Sequence, residues 1–462
     1  MNIANTVIGL NRGKPRIWVE ACLNRYFKPN DILKVEENEA RNRLVLSLYN
    51  PLDLEAEKEP MRTVRVSKRG NNPLLEVRGE FLDVLFGVGK TIRVVVQPGV
   101  ITFSVHSSEL QKDERLARVK EKILTGSPLS IGSLFSGAGI MDGAVHSGLV
   151  AGGLGAKGML VVEKDKRFIN AFYKNQTDIF SDDAVLIHSE IELVEFRSKG
   201  FPLDLLMMGI PCDGASLANT TCSEPEFHKL TGDMFFYALQ FIQYTQPGII
   251  IIENVPPYQK STSFAVILSV LKTWGYTVEY LVLSGKKFAL EGRERLVCVA
   301  STLGLDLGLI LNDLPLLGTR HESFACVMED IPLEDKSWRE YEGLVAKELK
   351  DSEKGAGWRR VVLDGSETVI PTIRKFCHKA GSTDAFVGNP FNSKTRLINE
   401  REHAGCKTVP LKFIDGLSYT AASEALGQGV IFNLFKGLGY VIARKLIALF
   451  ESEANMEPVV AS

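Results

Sequence analysis

Short apolar runs recur between residues 129 and 300 and predict the buried strands of an α/β sheet. They cover residues 129–134, 158–162, 185–191, 203–208, 248–252, 281–284 and 296–300. Several runs end in a glycine turn or a polar side chain. Open α/β sheets bind ligands beyond the carboxyl ends of their strands, so chemistry is expected at these ends. Near the C-terminus, residues 432–450 have the pattern of an amphipathic helix interrupted at Gly437 and Gly439, which we expect to pack on the sheet.

The first quarter of the chain contains one β-rich pattern twice. Each copy has a short strand, an apolar connection, a turn and a β-hairpin, at residues 15–48 and 73–105. Internal repetition indicates two copies of one supersecondary unit. Neither copy is large enough to be stable alone, so we expect the two to pack together. We therefore predict a small, mostly-β domain over residues 1–110, then a charge-rich surface helix or linker over 111–128.

The second copy resembles the swapped-hairpin barrels of AbrB-like and SymE-like proteins, many of which bind DNA as dimers of hairpin units. The resemblance implies that the tandem pair mimics such a dimer in a single chain. A cationic loop, residues 61–72, lies between the copies. This loop either contacts DNA phosphates or is a solvated edge strand that its Lys and Arg side chains keep soluble.

Composition excludes some classes of protein. The 462 residues have room for two or three domains, and the formal net charge of −2 shows no overall signature of nucleic-acid binding. A local basic cleft stays open as an alternative. The seven cysteines are scattered without a Cys-x-x-Cys pair, which disfavours a disulfide framework and a metal site and is typical of a reducing cytosol. We recognise no signal peptide and no membrane-spanning run.

A glycine turn follows the first strand of the α/β region. In Phe135-Ser136-Gly137-Ala138-Gly139, the glycines would let a ligand approach the backbone, and the helix that follows favours polar or negative groups at its N-terminus. Glu163 ends the next strand, a position that suits hydrogen bonds to ribose hydroxyls. The alternative is an ordinary acid at the start of a helix. The polar end of the third run, which includes Glu190, would face an adenine.

Three further groups lie at the ends of apolar strands. Cys212, directly after Pro211, is either a nucleophile or one more small buried side chain. Glu253 ends a strongly apolar strand, where a carboxylate is costly unless it has a partner or a function. Arg293 and Arg295 occupy alternate positions at the entry to a strand, so they would point the same way and clamp an anion.

Taken in order, these features resemble the motif series of the DNA (cytosine-5)-methyltransferases. The series comprises residues 135–139, Glu163, Pro211-Cys212, residues 253–255 and Arg293-x-Arg295. Residues 396–404 resemble the penultimate motif of the family, and residues 426–430, which include Gln428, resemble its last. The resemblance covers residues 130–450 and implies a Rossmann-like, S-adenosylmethionine-dependent methyltransferase domain. It assigns a catalytic core to 129–302, a small target-recognition region to 303–366, a return to the core to 367–450, and a tail to 451–462.

The resemblance implies transfer of a methyl group from S-adenosylmethionine to C5 of cytosine in DNA, with S-adenosylhomocysteine as product. Cys212 would add to C6 as a thiolate, and Glu253 would hold a proton near N3. Arg293 and Arg295 would orient the Cys212 loop and the cytosine carbonyl or a phosphate. The target cytosine would be flipped out of the duplex. Contacts to the cofactor would come from Phe135, Ser136, Gly137, Gly139, Glu163, Glu190, Pro211 and Gln428.

Three positions depart from the family pattern. Asp213 and Glu291 stand where the family usually has glutamine, and Gln428 stands where it usually has asparagine. Asp213 would oppose ionisation of a neighbouring thiol, or it is only a turn residue before Gly214. None of these changes removes the nucleophile, the acid or the arginines, so we expect an active enzyme.

Cations and aromatic residues in and near the target-recognition region are candidates for DNA contacts. They are Arg359, Arg360, Arg374 and Lys375, with Trp338, Tyr341 and Trp358. The cations would reach phosphates or guanine edges, or they are simply solvated.

We expect a cytoplasmic, nucleoid-associated monomer that acts on double-stranded DNA, without a membrane or a metal ion. The protein either has a cognate restriction endonuclease as its partner or has no such partner. Two alternatives stay open. One is methylation of cytosine in RNA, because one branch of the resembled family acts on tRNA. The other is a DNA-binding regulator with a vestigial methyltransferase half, against which the joint retention of Cys212, Glu253, Arg293 and Arg295 argues.

Overall fold

The computed structural model describes residues 1–49, 62–195, 200–211, 225–308, 310–353 and 359–456, without the side chains beyond residue 451. The chain divides into two compact units, Met1–Glu114 and Arg115–Ser462. Five cysteines in the described ranges are free thiols: Cys22, Cys298, Cys326, Cys377 and Cys406. In the same ranges, no helix combines the length and the apolar character needed to cross a membrane.

The first unit is built from two corresponding sets of five strands. The first set is β1 (Asn2–Val7), β2 (Gly9–Asn11), β3 (Lys14–Val19), β4 (Ile32–Asn38) and β5 (Arg43–Leu48). The second set is β6 (Thr63–Arg65), β7 (Ser67–Arg69), β8 (Asn72–Arg78), β9 (Thr91–Gln97) and β10 (Val100–Val105). A short helix, α1 (Phe81–Phe86), connects β8 to β9, where the first copy has a 3-10 turn, Ala21–Leu23.

The two copies exchange strands. Strand β1 pairs with β9 of the other copy, and β6 pairs with β4, so each copy donates its first strand to its neighbour's hairpin. The strand orders β1-β9-β10-β5-β4-β6 and β2-β3-β8-β7 are both symmetric about the line where the copies meet. Alternate side chains of β3 (Ile17, Val19) and of the other inner strands share one apolar core. Neither copy closes this core alone, which is why the repeat occurs as a pair.

Helix α2 (Ser107–Thr125) contains the boundary between the units. Its charge-rich sequence predicted a surface helix or linker, yet Arg115 is only 2% exposed. Within the second unit, Arg118 and Lys122 both pair with the buried carboxylate of Asp204, at 3.0 and 2.6 Å. The guanidinium of Arg115 donates hydrogen bonds to Thr302 Oγ1, Gln246 Oε1 and the carbonyl oxygen of Trp274. Arg115 is therefore buried in the second unit, and Arg118 and Lys122 are partly buried partners of Asp204, which charge content alone does not indicate.

The second unit contains a seven-stranded sheet of order β13-β12-β11-β14-β15-β17-β16. Its strands are β11 (Leu129–Leu134), β12 (Ala156–Glu163), β13 (Phe180–His188), β14 (Leu205–Gly209), β15 (Ile249–Asn254), β16 (Tyr276–Ser284) and β17 (Glu294–Thr302). The first five are parallel, whereas β17 runs antiparallel to both β15 and β16. Residues 205–208 and 249–251 are fully buried, as expected for strands covered on both faces. The prediction of an α/β fold preceded by a mostly-β region is confirmed.

The described part of the second unit contains further helices after α2. They are α3 (Ile140–Ala151), α4 (Lys166–Asn175), α5 (Met234–Thr245), α6 (Thr262–Thr273), α7 (Glu342–Glu353), α8 (Glu400–Cys406), α9 (Tyr419–Gln428) and α10 (Phe432–Met456). A small three-stranded sheet of order β18-β19-β20 is formed by Val361–Leu363, Ala385–Gly388 and Thr395–Leu397.

Helix α10 is continuous through Gly437 and Gly439, the positions that interrupt its amphipathic pattern. A Cβ atom on Gly439 would lie 2.3 Å from the carbonyl oxygen of Val145, and one on Gly148 would lie 2.1 Å from that of Lys436. The glycines therefore let the backbones of α3 and α10 touch. Side chains of α10 such as Leu438 and Ile442 also join the core that contains β11.

Candidate active site

The candidate site lies at the topological switch point of the parallel sheet, where the order of the strands reverses. Strands β12 and β13 lie on one side of β11, whereas β14 and β15 lie on the other. At such a switch point the connections on the two sides generally run in opposite directions and open a crevice beyond the strand ends. In open α/β sheets this switch point is where ligands bind. The glycine turn follows β11, and the Pro211-Cys212 segment follows β14.

The backbone of the glycine turn after β11 is strained. Phe135, Gly137 and Gly139 all have positive φ angles, 59°, 55° and 72°. Gly139 caps α3, and a Cβ atom there would lie 2.0 Å from Gln176 Nε2, so only glycine fits. A non-glycine residue in the left-handed region, as at Phe135, is costly and often marks a functional turn.

The structure brings Glu163 and Gln428 to this turn. Glu163 Oε2 accepts a hydrogen bond from the Gly137 amide at 2.7 Å, and Oε1 accepts one from the Asp165 amide at 2.8 Å. A Cβ atom on Gly137 would lie 3.3 Å from Gln428 Nε2. The first, second and last motifs therefore meet, although they are far apart in sequence.

Glu190 does not end a strand, contrary to the prediction for residues 185–191. Strand β13 stops at His188, and Glu190 precedes a 3-10 helix, Ile191–Leu193, that buries Ile191. The Ser189 amide donates to the carbonyl oxygen of Glu163, which keeps this loop beside the end of β12. The Glu190 side chain is exposed.

Two polar groups near the turn are buried. Ser136 Oγ has no hydrogen-bond partner among the described residues. Asp142, in the first turn of α3, is fully buried beside Ser133, and burial raises the pKa of its carboxyl group to about 7. A buried hydroxyl that lacks a partner at a glycine turn fits a site completed by a polar ligand.

Glu253 and Pro211 lie at neighbouring strand ends. Glu253 pairs with Gly209 in the β14–β15 ladder, and a Cβ atom on Gly209 would lie 3.8 Å from Glu253 Oε2 and 3.6 Å from the carbonyl oxygen of Phe135. Asn254 Nδ2 donates to the carbonyl oxygen of Ile210 at 3.3 Å. The segment leading to Cys212 is thus fastened to the strand that carries Glu253. Cys212 itself, like Asp213, lies outside the described residues.

The two arginines contact different carboxylates, so they do not form the joint clamp that their spacing predicted. Arg295 Nε lies 2.7 Å from Glu253 Oε1, with both side chains mostly buried. Arg293 is 4% exposed, and its Nη1 lies 3.5 Å from Glu291 Oε1. Arg295 therefore acts directly on the candidate acid, whereas Arg293 belongs to a neighbouring buried cluster.

This cluster contains residues that the sequence analysis missed. Lys407 Nζ lies 3.5 Å from Glu291 Oε2, and both side chains are fully buried. His403 is also buried, and burial, with Lys407 and Arg293 nearby, holds its pKa well below the usual value, so its ring is neutral. The signal that could have revealed this cluster is Glu291, because a buried acid in place of a glutamine requires a cation nearby.

Some of the target-recognition candidates contact other side chains, and others are exposed to solvent. Arg360 Nε pairs with Glu348 Oε2 at 2.8 Å, and Arg374 Nε pairs with Asp384 Oδ1 at 2.9 Å. Arg359 is exposed. The ammonium group of Lys375 lies 5.5 Å from the centre of the Phe376 ring. Trp338 is buried, with its ring beside the Arg396 guanidinium, and Trp358 lies outside the described residues.

No group of three or more His, Cys, Asp and Glu side chains in the described ranges is arranged to hold a metal ion.

A switch-point crevice bordered by a glycine turn, a buried acid and a paired arginine defines an α/β protein of the methyltransferase class. The family model for C-5 cytosine-specific DNA methylases matches residues 129–444, and the chain belongs to that family.

Relatives in the family are type II methyltransferases. M.Sau3AI of Staphylococcus aureus is 28% identical over 140 residues, 29% of this chain and 31% of that protein. M1.BsuMI of Bacillus subtilis is 28% identical over 232 residues, 46% of this chain and 53% of that protein. M.HhaI of Haemophilus parahaemolyticus is 20% identical over 295 residues, 59% of this chain and 88% of that protein. The chain thus spans about a third and about half of the length of the first two.

Solved structures share the fold. The S. pombe Dnmt2 methyltransferase has a TM-score of 0.52 at 15% identity, covering 68% of this chain and 98% of that one. The Entamoeba histolytica methyltransferase EhMeth has a TM-score of 0.50 at 16% identity, again covering 68% and 98%.

Proposed function

We propose that this protein transfers a methyl group from S-adenosylmethionine to C5 of cytosine in double-stranded DNA, with Cys212 as the covalent nucleophile. One observation carries the proposal. Ile210, directly after β14 and two residues before Cys212, is fastened to the strand of Glu253, and both strand ends border the glycine turn. A nucleophile, an acid and a cofactor turn would then face one crevice.

The proposed chemistry uses the two sides of the cytosine ring. The Cys212 thiolate adds to C6, and the displaced electron pair of the C5–C6 bond makes C5 nucleophilic, while a proton at N3 compensates the developing charge. Glu253 would share that proton with N3 through Oε2, while Arg295 fixes the group through its 2.7 Å contact with Oε1. After C5 accepts the methyl group, loss of the C5 proton to a base re-forms the double bond and expels the thiolate.

The residues at the glycine turn fit S-adenosylmethionine, which when bound supplies an electrophilic methyl group. Glu163 would accept hydrogen bonds from ribose hydroxyls through the lone pairs that the Gly137 and Asp165 amides leave open. The Ser136 hydroxyl would gain the partner that it lacks among described residues. Phe135, Gly139, Glu190, Pro211 and Gln428 would complete the contacts, Glu190 from an exposed position.

DNA is the proposed substrate, and the protein would act in the cytoplasm. Access to C5 and C6 from both sides requires the base to leave the stack. Residues 303–366 would read the target sequence, with Arg359 as an exposed candidate for phosphate contact.

The first unit would add a second DNA contact. The turns joining β2 to β3 and β7 to β8 are equivalent in the two copies, and residues 9–16 and 67–73 contain five cations and no acidic residue. Arg12, Lys14, Lys68 and Arg69 are exposed there. Paired cationic hairpin tips on one small β unit suit contacts to two phosphate groups of one duplex.

Methyl transfer is tested with S-adenosylmethionine labelled in its methyl group. The intact protein should label duplex DNA, and Cys212→Ser should reduce labelling by at least about 10⁴-fold while leaving cofactor binding unchanged. Cys298→Ser, at a buried cysteine of β17, is the matched control and should remain active. Labelling of RNA in preference to DNA would mean that RNA is the substrate. Equal labelling of DNA by wild type and by Cys212→Ser would refute the proposal.

A further inference from the structure

Glu291 is a buried carboxylate at a position where a neutral glutamine is usual in the resembled family. Its side chain is 0% exposed. A charge in such a place is strongly unfavourable unless it is paired, because it has lost its hydration. Its backbone amide donates to the carbonyl oxygen of Cys406 at 3.1 Å, which holds the arginine segment against the end of α8.

Each oxygen of Glu291 faces one cation. Oε1 lies 3.5 Å from Arg293 Nη1, and Oε2 lies 3.5 Å from Lys407 Nζ. The Lys407 ammonium also donates a hydrogen bond to the carbonyl oxygen of Gly429 at 3.1 Å. Lys407 is therefore joined both to the segment that carries Arg293 and to the residue that follows Gln428.

We propose that Lys407 is a positioning residue, which through Glu291 holds Arg293 and through Gly429 holds Gln428 beside the glycine turn. The inference rests on the proposed methyl transfer, because Arg293 and Gln428 matter only if the crevice binds cofactor and base. Glu291 and Lys407 act as a charge pair that stands in for a neutral contact. Without Glu291, the Lys407 ammonium would lose its paired carboxylate in the interior, and without Lys407, one of the two Glu291 oxygens would lose its cation while the other still faces Arg293.

The surroundings of Lys407 make its charge responsive near neutral pH. The charged and titratable groups around it are Glu291, Arg293 and Arg295 on the arginine segment, His403 and Cys406 on α8, and Cys377. Burial, and then the Arg293 charge, lower the pKa of Lys407 to about 7. Its ammonium form therefore predominates below about pH 7 and is lost as the pH rises above it.

A double-mutant cycle on the full-length protein tests the pairing. The variants are Glu291→Gln, Lys407→Gln and the double variant, assayed for kcat at saturating cofactor and DNA. We expect each single variant to lose at least about tenfold in kcat, and the double variant to recover to within about threefold of wild type. Additive losses, or single variants with unchanged kcat, would overturn the inference.

Two further measurements separate positioning from simple stability. Arg115→Gln removes another buried cation, one that contacts no residue of the site, and should lower thermal stability without changing kcat per folded molecule. The ratio of wild-type kcat to double-variant kcat should fall between pH 6 and pH 8.5, as Lys407 loses its proton. A purely structural pair would give a constant ratio, which contradicts the inference. Inactive wild-type protein would instead contradict the proposed function.

Discussion

At the scale of single residues, the two arginines at the entry to β17 have different tasks. Arg295 contacts the Glu253 carboxylate, whereas Arg293 contacts Glu291. Their i, i+2 spacing suggested one shared ligand, but each side chain has its own acid. The acid of Arg295 lies on the neighbouring strand β15, whereas the acid of Arg293 lies two residues earlier in its own segment.

Replacing Arg295 should affect catalysis more than binding. In Arg295→Gln the Glu253 carboxylate loses its 2.7 Å partner, so its orientation toward the base is no longer fixed. We expect kcat to fall roughly 10²-fold, with little change in cofactor affinity. Lys157→Gln breaks a solvent-exposed ion pair with Asp183 and serves as the control, with activity near that of wild type. Steady-state kinetics and calorimetric cofactor binding measure the two effects.

Asp142 should make stability depend on pH. Burial raises its pKa in the folded protein to about 7 from a model-compound value of 3.8, so the folded state binds the proton more tightly than the unfolded state. Wild-type stability therefore decreases as the pH rises from about 4 to about 7. Asp142→Asn lacks this loss and should gain up to roughly 4 kcal/mol relative to wild type across that window.

Urea unfolding of both proteins at several pH values between 4 and 8 measures this gain. A difference between the two free energies of unfolding that does not change with pH would show that Asp142 keeps its ordinary pKa in the folded protein.

At the scale of elements, glycines that look like helix breakers are contact points. In α10, Gly439 touches the carbonyl oxygen of Val145 in α3. Charged residues mislead in the same way in α2, where Arg115 is buried among polar partners. In both helices the local sequence predicts a property of the isolated element, and packing in the folded unit reverses it.

Gly439→Ala should destabilise the second unit. A Cβ atom there would lie 2.3 Å from a backbone oxygen, so the helices must separate at a cost of about 1–3 kcal/mol. Gly343→Ala, at an exposed position of α7 with open space around it, should instead stabilise by about 0.5–1 kcal/mol through helix propensity. Thermal unfolding of the two variants gives shifts of opposite sign. A stabilising shift for Gly439→Ala would mean that α3 and α10 tolerate separation.

At the scale of the whole molecule, the cationic hairpin tips of the first unit should contribute to DNA affinity through phosphate contacts. Arg12→Gln, Lys14→Gln and Lys68→Gln combined should weaken binding to duplexes of any sequence and reduce the slope of log K against log salt by up to about 3. The kcat at saturating DNA should not change.

The matched control neutralises three exposed cations on or beside the six-stranded sheet in the same unit: Arg41 in the turn between β4 and β5, Arg43 in β5 and Arg93 in β9. It should leave the slope nearly unchanged. Equal effects of the two triple variants would show a diffuse charge effect and no specific contact at the tips.

Most of the architecture was predictable from the sequence because it rests on local patterns. The apolar runs locate the strands, and the repeat of residues 15–48 in 73–105 indicates two equivalent β units. The glycine turn and Glu163 were also predictable as neighbours, since both follow adjacent parallel strands. The sequence predicted that the third strand runs to residue 191, but β13 ends at His188. The 3-10 turn that buries Ile191 depends on the neighbouring loop, which the local pattern does not contain.

The sequence by itself determined which residue types follow each strand, because strand, turn and motif lie within a few residues of one another. Only the tertiary structure decided which side chains meet across the molecule: Gln428 beside Gly137, Arg295 on Glu253, and Lys407 on Glu291. The physical reason is that an interior ion pair or a close backbone contact depends on distances between elements. Those distances are set by sheet order and helix packing, and the spacing of residues along the chain does not contain them.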